Sequence, residues 1–258
     1  VTVSYLVCAT PRSGSTLLCE SLRETGLAGN PLEFFEAVPE TGVPRRPRDY
    51  LAGLDDPAAH ELIADAPPHE AAWYSDVRGV ADYHEQLERV RGWGTTDNGV
   101  FGAKIMWSHL VDLGRRLGED DLPALVDAQF GRPRFVWVRR ADKVRQAVSL
   151  WRAMQSQSWR AENEPSAGEP QYSYAAIHHL VAQLDAQDDA WVRFFGAASG
   201  SVLALTYENV AADLTGALER TLDHIEVAPP HGSLCVPPMR RQADERSEAW
   251  AEAYAARL

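Results

Sequence analysis

The run Tyr5-Leu6-Val7-Cys8-Ala9-Thr10-Pro11-Arg12-Ser13-Gly14-Ser15-Thr16-Leu17-Leu18-Cys19-Glu20-Ser21-Leu22 decides the fold. Its first residues are apolar strand formers and its middle is a Pro/Ser/Gly turn. Leu17, Leu18 and Leu22 then fall at the spacing of one helix face. The order is strand, loop, helix. Such a loop leaves the amides of residues 13 to 16 unpaired at a helix N-terminus, where the macrodipole favours an anion. Ser13, Ser15 and Thr16 add hydroxyl donors around Gly14, and Arg12 adds a fixed positive charge. The loop reads as a phosphate cradle, with a plain helix-capping turn as the simpler alternative. It lacks the lysine that follows the second glycine of GxxxxGKS/T loops, because here the cation precedes the glycine. A cysteine phosphatase loop, CxxxxxR, fails on spacing, since Cys8 stands only four positions before Arg12.

The 258 residues are enough to bury a full core, and they read as one domain over 1–258. Asp and Glu number 37 against 25 Lys and Arg, a net charge of −12 that excludes nucleic acid or an anionic membrane surface as the main partner. An anionic ligand must therefore be held by a local group of cations. Cys8, Cys19 and Cys235 are odd in number and far apart, which fits neither a disulfide framework nor a zinc site and points to a reducing, cytoplasmic setting. No run reaches the ~18 apolar residues of a membrane span, and the N-terminus lacks the pattern of a signal peptide. Neither His60-Glu61 nor His84-Glu85 is followed by the second histidine of a zinc protease helix, so no catalytic metal is expected.

After the first helix, which Gly26 or Gly29 ends, residues 30–98 carry many Pro, Asp, Glu and Arg and little strand pattern. Short helices are expected around 57–65 and 80–91. The aromatics Phe34, Phe35, Tyr50, Trp73, Tyr74, Tyr83 and Trp93 make this a substrate-shaping insertion. Strands are predicted at 100–106, 134–138 and 201–207, and helices at 142–155, 172–195, 213–224 and 242–257. Strands alternating with helices give an α/β fold: a mainly parallel sheet with helices on both faces and ligands at the carboxyl ends of the strands.

Pro11-Arg12-Ser13-Gly14-Ser15-Thr16 resembles the phosphate-binding loop of sulfotransferases that use 3′-phosphoadenylyl sulfate. Val138-Arg139-Arg140, followed by a helix carrying Ser149, resembles that family's second phosphate element, in which an Arg and a Ser hold the 3′-phosphate. The spacing leaves Arg139 and Arg140 as alternatives. Leu205-Thr206-Tyr207-Glu208 resembles the strand end that abuts the adenine, and Arg240 and Arg241 resemble a C-terminal cation on the 3′-phosphate. Lys104 is a single lysine in the apolar strand Phe101-Gly102-Ala103-Lys104-Ile105-Met106, so it must reach a carboxylate or an anion. The resemblance sets it beside the transferred sulfuryl group.

For the base, the family's animal members use a histidine close to the strand lysine, whereas His109 here is displaced by three residues. Asn30-Pro31-Leu32-Glu33-Phe34-Phe35-Glu36 brings two carboxylates into an aromatic setting, where desolvation can raise a carboxylate pKa toward neutrality. Glu36 is the first candidate base and Glu33 the second, with Glu33, Glu36, Phe34 and Phe35 expected to line the acceptor. This stretch, with Phe101–Trp107 and Arg145–Arg152, resembles a bacterial branch, the trehalose 2-sulfotransferases. That resemblance implies a P-loop-like sulfotransferase fold, a homodimer, 3′-phosphoadenylyl sulfate as donor and a disaccharide acceptor. A nucleotide kinase and a non-catalytic nucleotide or carbohydrate binding module are the competing readings. Titration with ATP-magnesium against 3′,5′-ADP without metal separates the first, and the need for a base separates the second.

Overall fold

The structure, a computed structural model, describes residues 3–36, 46–63, 83–159, 169–228 and 245–258. Four strands, β1 (Val3–Ala9), β2 (Val100–Met106), β3 (Arg134–Arg139) and β4 (Val202–Thr206), form a parallel sheet in the order β2-β1-β3-β4. The helices are α1 (Ser15–Glu24), α2 (Pro57–Glu61), α3 (Tyr83–Gly94), α4 (Trp107–Leu117), α5 (Leu122–Phe130), α6 (Lys143–Ser156), α7 (Tyr174–Ala197), α8 (Tyr207–Ala212), α9 (Leu214–His224) and α10 (Glu245–Ala255), with a 3₁₀ turn at Pro47–Leu51. The expected α/β architecture is present. Among the described residues no helix is long and apolar enough to cross a membrane.

β1 is apolar on both faces because both are covered. Tyr5 and Val7 pack with Leu18 and Leu22 of α1 and Leu218 and Leu222 of α9, whereas Leu6 and Cys8 face Leu110 and Leu113 of α4, Val126 of α5 and Trp191 of α7. A third cluster joins α6 and α7 to Leu51, Ala59 and Ile63, so the described parts of the segment between α1 and β2 share the core. In-register pairing of Ala9 with Met106 and Val138, and of Arg139 with Thr206, ends all four strands at one edge. The chain leaving each strand therefore enters the same region of space.

The structure differs from the sequence expectation most after β2 and after β4. Helices α4 and α5 fill residues 107–130, where none was predicted. The first is amphipathic but follows β2 with no intervening turn, which hides its start, and the second is short and largely apolar, with little helical period to mark it. The fourth strand ends at Thr206, because the Thr206 side chain accepts the amide of Asn209 and so caps α8. Tyr207 is thus the first residue of a helix rather than the last of a strand. Of the aromatics expected in the insertion, Trp73 and Tyr74 lie outside the described residues, as do Cys235, Arg240 and Arg241.

Candidate active site

Between β1 and α1 the backbone turns through two left-handed residues, Arg12 at φ 63° and Gly14 at φ 83°. Gly14 is the N-cap of α1; no side chain caps the helix and no acidic residue stands in its first turn. Its leading amides are therefore presented to whatever lies beyond the loop. Ser13 is fully buried and its hydroxyl has no hydrogen-bond partner among the described residues, which is the polar atom an anion would complete. A Cβ on Gly14 would stand 2.6 Å from the Tyr207 ring. The glycine is thus required both for its φ and for contact with Tyr207. Gly14→Ala is expected to lower stability by about 1–3 kcal/mol, the range for such strain. Thermal unfolding checks this, and a variant as stable as the parent would show that Tyr207 yields at no cost.

The cations come from two chain segments. Arg12 donates from Nε to Ser149 Oγ at 3.0 Å and from Nη1 to the Trp159 carbonyl at 2.6 Å. Burial, followed by the charge of Arg140, pushes its pKa down to about 10, with Tyr207 acting in the opposite sense. Arg140 lies with its guanidinium carbon 4.6 Å from the Tyr207 ring centroid, and its Nε has no partner among the described residues. Burial lowers its pKa too, against the opposing pull of Tyr207 and Asp142. Two guanidiniums so close together repel, a cost that an anion between them removes. The two arginines at the end of β3 point to different sides. Arg139 follows Trp137 onto the α7 side and lies exposed, 5.2 Å from that ring, whereas Arg140 shares the face of Arg12, Ser149 and Gly14. The structure thus sets Arg140 beside Arg12 and Tyr207, and Arg139 beside Trp137.

Glu208 accepts the amides of Ala141 at 3.2 Å and Asp142 at 3.3 Å, and so holds the turn that carries Arg140. Its signal was present in the Tyr-Glu pair after β4, but its partners lie 66 and 67 residues away.

On the other flank, Leu32 pairs with Ala103 and accepts the amide of Lys104 at 2.9 Å, which lays the segment 30–36 along β2. Glu36 then turns back onto the Glu33 carbonyl. Lys104 is 3% exposed, forms an ion pair with Glu33, and donates to Thr16 Oγ1 at 2.9 Å. Burial opposes its charge, but Glu33 first, then Cys19 and Glu36, more than reverse this and hold its pKa above the usual lysine value. Both carboxylates therefore stand within electrostatic reach of an ammonium that touches Thr16 in the first turn of α1.

Phe34 and Phe35, expected to line an acceptor, are 1% and 4% exposed and pack against Trp93 and Phe130. They anchor the turn from which the two glutamates project. His109 is also buried, and its Nδ1 faces the Met106 amide at 3.5 Å as a cap of α4. Tyr207, expected to stack on a base, has one ring face under Arg140 and its edge on Gly14. Among the described residues no group of three or more His, Cys, Asp or Glu side chains is arranged to hold a metal ion.

The model of the Stf0 sulphotransferase family matches residues 4–257. A protein of Mycobacterium tuberculosis named trehalose 2-sulfotransferase is 37% identical over 263 residues, spanning 98% of this chain and 94% of that one. One of the same name from Mycolicibacterium smegmatis is 35% identical over 259 residues, spanning 97% and 94%. Among solved structures, a sulfotransferase from Alicyclobacillus acidocaldarius superposes with a TM-score of 0.50 at 11% identity, over 99% of this chain and 92% of that one. This last likeness concerns the fold.

Proposed function

The chain belongs to the Stf0 sulphotransferase family, and from that premise we propose that it moves a sulfuryl group from 3′-phosphoadenylyl sulfate to the 2-hydroxyl of trehalose. The observation that carries the reading is the convergence of Arg12, Arg140 and Ser149 beside the uncapped N-terminus of α1, with the unpartnered Ser13 hydroxyl among them. These residues fit a ligand with phosphates at both ends of a ribose. The donor, when bound, supplies an activated sulfuryl group on a phosphate leaving group. Arg12, Ser13 and the amides at Gly14, Ser15 and Thr16 bind that end, while Arg140 and Ser149 bind the 3′-phosphate. Lys104 and Arg12 place positive charge where the departing oxygen becomes negative. Glu36 takes the proton of the acceptor hydroxyl, and Glu33 holds Lys104 in place. Arg240 and Arg241 belong to the same proposal as further cations toward the 3′-phosphate. A homodimer in the cytoplasm, acting on a small disaccharide, completes the reading, and the net charge of −12 supports the absence of a nucleic-acid partner.

Incubation of the protein with 3′-phosphoadenylyl sulfate and trehalose, followed by mass spectrometry, is expected to yield a singly sulfated disaccharide, and its absence would remove the acceptor assignment. The donor side has its own test. Saturation with 3′,5′-ADP at 100 times its dissociation constant should raise stability by about 2.7 kcal/mol, without ATP-magnesium doing the same. Arg140→Ala should weaken 3′,5′-ADP far more than 5′-AMP, and Arg139→Ala should affect neither strongly. Equal losses for both nucleotides in Arg140→Ala would mean that this arginine acts on the fold alone.

A further inference from the structure

Behind the phosphate loop, side chains from two other helices meet in a closed polar network. Gln146 of α6 donates from Nε2 to Thr10 Oγ1 at 2.9 Å and to the Pro11 carbonyl at 2.7 Å. Thr10 donates in turn to Asp188 Oδ1 of α7, at 3.5 Å the longest contact of the set. Lys143, the first residue of α6, folds its ammonium onto Asp188 Oδ2 at 2.6 Å, the Arg140 carbonyl at 2.6 Å and Gln146 Oε1 at 3.1 Å. The three ammonium protons and both amide protons of Gln146 are thereby used. Thr10 and Gln146 are fully buried and Asp188 nearly so. A lysine at a helix N-terminus opposes the macrodipole, and Asp188 supplies the compensating charge. One turn further along α7, Trp191 donates to the Ala9 carbonyl at 3.1 Å.

The network ends on two carbonyls, those of Pro11 and Arg140. Pro11 directly precedes Arg12, so each end adjoins one of the two arginines of the site. Arg12 keeps a left-handed backbone that costs energy in a residue with a Cβ, and such a conformation persists only where its surroundings over-determine it. The two guanidiniums also repel across the site. A rigid link from behind answers both demands.

We propose that Thr10, Lys143, Gln146 and Asp188 are positioning residues that lock the spacing between Arg12 and Arg140, so that the 5′- and 3′-phosphate groups of one nucleotide are bound as a unit. This inference rests on the donor reading above. Placed behind the loop, with all but the half-buried Lys143 out of solvent, the four act through the backbone, and a site organised in advance loses less on binding.

The test measures dissociation constants of 3′,5′-ADP and 5′-AMP by titration calorimetry for the parent, Asp188→Asn, Lys143→Met and Thr10→Val. The third variant keeps side-chain volume and all charges, so it reports even if breaking the ion pair unfolds the protein. The preference for 3′,5′-ADP over 5′-AMP is expected to fall about tenfold, as groups sharing one hydrogen-bond network couple. The donor KM should rise with the acceptor KM unchanged. A merely structural role would lower the melting temperature and leave the preference alone. A preference within about twofold of the parent in folded variants overturns the inference, since uncoupled sites simply add. A parent with no preference for 3′,5′-ADP overturns the donor reading itself, and the inference with it.

Discussion

Arg12→Ala is expected to lower kcat/KM by about 10²–10³, the loss typical of one transition-state donor, and to weaken 3′,5′-ADP as well. The guanidinium is placed by Ser149 and the Trp159 carbonyl, and burial together with Arg140 already works against its charge. A cation held at such a cost gains most when negative charge builds on the departing oxygen, so its removal should fall on kcat as well as on binding. Arg12→Lys separates charge from geometry. A lysine restores a positive charge but not the planar fork that bonds Ser149 and Trp159 together, so it should recover only part of the loss. Steady-state kinetics with varied donor, alongside melting temperatures, make the measurement. An Arg12→Ala enzyme with near-normal turnover would remove the loop from the chemistry.

Glu36→Gln should reduce kcat by about 10²–10⁴ while donor and acceptor affinities stay close to those of the parent, because a general base acts only as the new bond forms. Glu36 leaves a turn whose two phenylalanines are sunk in the core, and its charge is felt at Lys104. With the parent enzyme, kcat should rise with pH through one ionisation, because the protonated carboxyl cannot accept a proton, and this limb should vanish in Glu36→Gln. Glu33→Gln should behave differently: it leaves a buried ammonium short of its carboxylate, so the damage should appear first in the melting temperature. His109→Ala should also act on stability, through the lost cap of α4. Full activity in Glu36→Gln together with a dead but well-bound Glu33→Gln would move the base to Glu33.

The sequence alone determined what is local in the chain. The strand, the loop and the first helix are contiguous, so this strand-loop-helix unit was legible from apolar periodicity and turn chemistry. The same holds for α6 with Ser149, and for the demand that Lys104 in an apolar strand find an anionic partner. Only the tertiary structure decided which partners are met, because the sheet order β2-β1-β3-β4 sets β1 beside strands remote from it in sequence. Arg139 and Arg140 are neighbours in the chain, and only the fold turns one toward Trp137 and the other toward Tyr207. Phe34 and Phe35 look like a sugar platform until Trp93 and Phe130 bury them. Thr10 and Asp188 lie 178 residues apart, and no periodicity records their contact. A side chain's pattern in the chain reports which face of its own element it occupies. What covers that face is a property of packing, and packing is where the candidate site acquires its second arginine, its paired lysine and the network behind them.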